Sequence, residues 1–82
     1  MGQTMKDISL DYRYLKAFMV TSRFLNFSKA AQELNIAQSA VSRQIKLLEE
    51  SVGQQLIIRS SKKVLLTEKG EALLQELGAF EE

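Results

Sequence analysis

With 82 residues, no cysteine and no histidine, the chain has room for one small domain and lacks the commonest general base, thiolate and zinc ligand. It is 45% hydrophobic and 26% charged, an ordinary globular balance, and no apolar run nears the roughly 20 residues of a membrane span. Net charge is +1 but unevenly laid out: residues 28–63 carry six basic and three acidic side chains, residues 64–82 one basic and five acidic. A basic middle with an acidic end suits a polyanionic partner held by one part of the chain. Met1 to Asp7 has no apolar core of a secretory signal, so a soluble, cytoplasmic protein is expected. Residues 1–10 are set aside as a flexible terminus or expression scar.

The first helix is expected from about Asp11, which favours its amino end, to Arg23. Helical spacing turns Leu15, Phe18 and Met19 inward. Phe24-Leu25-Asn26-Phe27 then reads as a short apolar connection folding back on the core. Phe18, Phe24 and Phe27 are read as packing residues. A second, short helix is expected from Ser28, a good N-cap, to Leu34. Its Ala30 and Ala31 allow a close helix crossing. Asn35 can end it in a left-handed conformation, with Ile36 as an inward anchor.

The third helix covers about Gln38 to Ser51, and its pattern is the clearest. At about 100° per residue, Val41, Ile45, Leu48 and Val52 share one stripe. Gln38, Ser39, Ser42, Arg43 and Lys46 share another, about 140° wide and free of acids. Gly53 is placed to stop the helix. Gln54–Arg59 and Val64–Thr67 read as two short strands around the polar turn Ser60–Lys63. Thr67 can N-cap a fourth helix, with Glu68 and Glu71 near its positive end. Leu73, Leu74 and Leu77 give that helix an apolar side, which can cover the domain's own core or form a dimer seam.

Three helices, a two-stranded wing and a carboxyl-terminal helix make a mainly α, winged helix-turn-helix fold. Residues 11–67 form that domain, and 68–82 begin a further helix. The polar stripe of the third helix has the groups that base edges require. Arginine pairs with guanine, glutamine with adenine, and serine with several edges. Phosphates need cations and hydroxyls beside them. Ser28 and Lys29 stand at the positive end of the second helix, which suits a phosphate. Lys62 and Lys63 at the wing tip, with Arg59 on its flank, can reach an adjacent phosphate or the minor groove. The competing reading is that the stripe is only a solvated helix face.

Phe27-Ser28-Lys29-Ala30-Ala31-Gln32-Glu33-Leu34 and Gln38 to Glu49 together resemble the helix-turn-helix signature of LysR-type bacterial transcription regulators. Gly53, Leu56, Arg59 and Leu66-Thr67-Glu68-Lys69-Gly70 match that family's wing and the start of its linker helix. The resemblance runs from Tyr12 to about Leu77. It implies a regulator binding double-stranded operators of imperfect dyad symmetry, as a homodimer through the linker helix with Leu73, Leu74 and Leu77 in the seam, often assembled to tetramers. The family's base-reading positions fall on Gln38, Ser39, Ser42 and Arg43. Its backbone contacts fall near Ser28, Lys29, Lys46, Arg59, Lys63 and Thr67.

Two positions depart from the pattern: Ala37 stands where the family has serine, and Ser39 where it has proline. The family's effector domain, where a small-molecule inducer binds, has no counterpart here, so the chain reads as an isolated or truncated DNA-binding domain. No metal or cofactor is expected. A protein-interaction module using the acidic, leucine-striped last helix is the alternative function. Catalysis by the scattered carboxylates, including Glu81 and Glu82, has no recognisable acid–base setting.

Overall fold

The computed structural model describes residues 12–60 and 63–81. The element order is α1 (Tyr12–Phe24), α2 (Phe27–Leu34), α3 (Gln38–Val52), β1 (Ile57–Arg59), β2 (Val64–Leu66) and α4 (Glu68–Glu81). This is the expected winged helix-turn-helix. Helices α1, α2 and α3 pack on one another. The strands form an antiparallel hairpin pairing Ile57 with Leu66, Ile58 with Leu65 and Arg59 with Val64. The Asp11 cap and residues 1–10, Lys62 and Glu82 lie outside the described residues.

The core is built from Phe18, Val41, Ile45, Leu48 and Leu56, all buried, with Ala17, Ala30 and Ala31 between them. Each large aliphatic or aromatic side chain so placed contributes about 1.5–3 kcal/mol by leaving water. Ala30 has no accessible surface, so its small side chain permits the close crossing anticipated from the sequence. On α1 the buried residues are Ala17, Phe18, Val20, Thr21 and Ser22, while Met19 is half-buried. The single inward stripe expected there is too narrow, because α1 is covered by both α2 and α3.

The connection between α1 and α2 does not fold back on the core. Leu25 takes a left-handed φ of 50° and its N–H donates to the Thr21 carbonyl at 2.6 Å. Phe24 and Leu25 stay 36% and 44% exposed. Phe27 alone turns inward, as the first residue of α2. Its burial starts the helix earlier than expected, so the N-cap is Asn26 and not Ser28. The Asn26 side chain accepts from the Lys29 N–H at 2.9 Å.

At the other end of α2, Asn35 is left-handed (φ 60°) as expected. Its reversal lets the Ile36 N–H donate to the Ala31 carbonyl at 3.1 Å, the six-to-one closure of a Schellman turn. The turn leaves Ile36 37% exposed and not an inward anchor. Val52, expected on the buried stripe of α3, is 36% exposed. It belongs to the terminal turn where Gly53 (φ 73°) reverses the chain.

The strands are shorter than the β-branched run implied. The Leu56 and Ile57 N–H groups donate to a helix carboxylate, and Thr67 leaves the hairpin to cap α4. Its Oγ1 accepts from the Gly70 N–H at 2.9 Å and donates to the Gln55 carbonyl at 2.7 Å. The cap assignment on α2 has a direct check. Asn26→Ala should lower unfolding free energy by about 1 kcal/mol, as loss of a cap does, whereas Ser28→Ala should change it little; urea denaturation of both variants measures the difference.

Candidate nucleic-acid interface

Helix α3 buries Val41, Ile45 and Leu48. Helical geometry therefore turns Gln38, Ser39, Arg43 and Lys46 outward, where they are exposed, and leaves Ser42 half-buried at the edge. An open groove between α3 and the hairpin is lined by Ser39, Ser42, Arg43, Lys46, Gln55 and Arg59, together with Glu49 and Ile57. It brings most of the expected stripe together with the wing's Arg59. A second concavity at the helix-turn-helix corner joins Ser28 to Gln38 through Gln32 and Asn35. The exposed surface is thus a run of hydroxyl, amide and cationic groups, the set that hydrogen-bonds to base edges and phosphates.

The remaining expected residues divide by what already holds them. Lys29 is exposed on the first turn of α2. Lys63 is exposed at the end of the wing turn, where its N–H donates to Ser60 Oγ at 3.1 Å. Lys62 lies outside the described residues. The Thr67 hydroxyl is engaged on both sides, as a strut to Gln55 and a cap for α4. Leu73, Leu74 and Leu77 are half-buried and pack against the core of their own chain.

Two residues and one contact escaped the sequence reading. Glu49 lies in the groove, and one oxygen of its carboxylate accepts from the N–H groups of Leu56 at 2.8 Å and Ile57 at 3.0 Å. The Arg59 guanidinium lies over the Phe27 ring, 4.3 Å from its centroid, which joins wing to α2. Arg13 on α1 flanks Arg43 across a third groove. These are tertiary relations between distant positions, and no periodicity announces them. Among the described residues no group of three or more acids could hold a metal ion, and no helix is long and apolar enough to cross a membrane.

The model of the bacterial regulatory helix-turn-helix proteins of the lysR family matches residues 12–71. The chain belongs to the LysR family. A probable cat1 operon transcriptional activator of Acinetobacter lwoffii is 47% identical over 77 residues, 89% of this chain and 25% of that protein. The transcriptional activator AmpR of Providencia stuartii is 48% identical over 63 residues, 77% of this chain and 22% of that protein. The chain therefore spans about a quarter of the length of these curated relatives. These relatives are transcriptional activators, not enzymes.

Among solved structures, the DNA-binding domain of BenM in complex with catB site 1 DNA superposes with a TM-score of 0.78 at 40% identity, covering 82% of this chain and 75% of that one. The complex of the CbnR DNA-binding domain with DNA gives 0.82 at 31% identity, covering 87% and 82%.

Within this LysR fold, the departure at Ala37 has a visible consequence. Ala37 is the N-cap of α3, extended at φ −69° and ψ 150°, with no side-chain hydrogen bond to the helix. The start of α3 thus lacks a side-chain cap. Ala37→Ser should add it and raise unfolding free energy by about 0.5–1 kcal/mol; a rise in the thermal midpoint would show it, and an unchanged midpoint would mean that the hydroxyl finds no backbone N–H.

Proposed function

We propose that the chain is the amino-terminal DNA-binding domain of a LysR-type transcription regulator and recognises double-stranded DNA in a sequence-specific way. The observation that carries this reading is the polar face of α3, whose Ser39, Ser42, Arg43 and Lys46 open with Arg59 of the wing into one groove. The two superposed domains bound to DNA support it. Gln38, Ser39, Ser42 and Arg43 would read base edges in the major groove. Ser28, Lys29, Lys46, Arg59, Lys62 and Lys63 would hold phosphates or enter the minor groove. Thr67 would act chiefly by placing the wing, since its hydroxyl is already engaged.

A dyad operator would be bound by two copies joined through α4, with Leu73, Leu74 and Leu77 at the seam. Those leucines lean on the core of their own chain, so the seam would use their remaining exposed surface. Any inducer would act through an effector domain outside these 82 residues, and the regulator would work in the bacterial cytoplasm, on the nucleoid.

Competition binding to duplexes tests the assignment of roles. Arg43→Ala should cost about 1–3 kcal/mol on the preferred duplex and relax preference at one position, and Lys63→Ala should weaken all duplexes alike and lower the salt slope by about one. Affinity and preference untouched by Arg43→Ala would remove α3 from base reading. Binding insensitive to salt and to loss of Arg43 and Lys46 would favour the protein-interaction module.

A further inference from the structure

We propose that Glu49 and Phe27 are positioning residues for DNA binding, which together hold the Arg59 guanidinium at a phosphate site beside the first turn of α2. The inference rests on the DNA-binding reading and adds two residues to it. Its starting point is an electrostatic oddity. Among the described residues, Glu49 is the one carboxylate in a groove that also holds Arg43, Lys46 and Arg59. A negative charge facing a polyanion opposes binding, so it needs a compensating use.

The use is visible in its contacts. One carboxylate oxygen accepts from the Leu56 and Ile57 N–H groups at 2.8 and 3.0 Å. Bonds of this kind, from amide to ionised acceptor, are about twice as strong as neutral ones. They fix the root of β1 to the end of α3. Ile57 is two residues from Arg59 on the same strand and the same face. Fixing one therefore fixes the backbone from which the other extends. Gln55 reinforces the bend, since its Nε2 donates to the Ile57 carbonyl at 3.1 Å.

Phe27 supplies the second hold. Its ring is buried at 8% exposure and is the first residue of α2. Arg59 stacks over that ring at 4.3 Å, which parks a cation by the positive end of a helix. Cation and helix terminus repel one another. Both attract an anion, and the stack keeps them together while the site waits for one. A phosphate there would meet Arg59 and the α2 terminus together.

The test is the salt dependence of duplex binding by the 82-residue chain and its variants, each first shown to melt cooperatively. Each phosphate contact contributes about 0.9 to the slope of log affinity against log salt. Arg59→Ala should lower the slope by about one contact. Glu49→Ala should lower it by the same amount although it removes a negative charge, and the Glu49→Ala, Arg59→Ala double variant should lower it no further. Glu49→Gln, which keeps an acceptor oxygen, should restore the slope. Phe27→Leu and Arg59→Lys, which each lose the planar stack while keeping the charge, should both fall between; Arg59→Lys leaves the core untouched and decides the point if Phe27→Leu unfolds. A wild-type slope in Glu49→Ala, or additive losses in the double variant, would overturn the proposal. Failure of the wild-type chain to bind any duplex in a salt-dependent way would instead remove the DNA reading itself.

Discussion

Burial of one stripe of α3 is the constraint on which the rest depends. A domain of this length has a small core, and Val41, Ile45 and Leu48 supply much of it against α1 and α2. With those three inside, α3 cannot roll. Its opposite face is committed to the surface over the same length, and on that face stand amides, hydroxyls and cations. The same packing that stabilises the fold therefore presents the candidate interface. What the candidate interface requires of the fold is a rigid helix with a fixed outward side.

The wing extends that face, and polar and apolar contacts together place it. Leu56 is the pivot. Its side chain is buried in the core, its N–H is held by Glu49, and its carbonyl accepts from the Thr67 N–H at 3.0 Å. Gly70 passes so close to the Leu56 carbonyl that a side chain at that position would collide with it. The end of α3, the root of β1 and the start of α4 thus meet at one residue. An isolated two-stranded hairpin is marginal in water; this one is held at its base by groups from two helices.

Much of this was legible in the sequence because it follows from local rules. Helix periods placed α3 and its two faces. Asn35 and Gly53 were readable as left-handed stops and Thr67 as a cap, since each depends only on its neighbours in the chain. The errors fell where tertiary structure chooses among local options. Asn26 and Ser28 are both good caps, and burial of Phe27 decided between them. Ile36 and Val52 fit an apolar pattern but sit in reversing turns, where the pattern no longer reports direction. Glu49 and the pairing of Arg59 with Phe27 were invisible, because charge and aromatic type say nothing about a partner that is distant in sequence.

The central claim is that the outward face of α3 reads bases and does not merely adhere to phosphates. Selection of bound duplexes from a random library, repeated at two salt concentrations, tests it most directly. The account predicts an enriched motif that persists at the higher salt while overall affinity falls, with a dyad if α4 joins two copies and a single half-site if it does not. Salt-dependent retention with no enriched sequence would contradict it, and would reduce the groove to a nonspecific anchor.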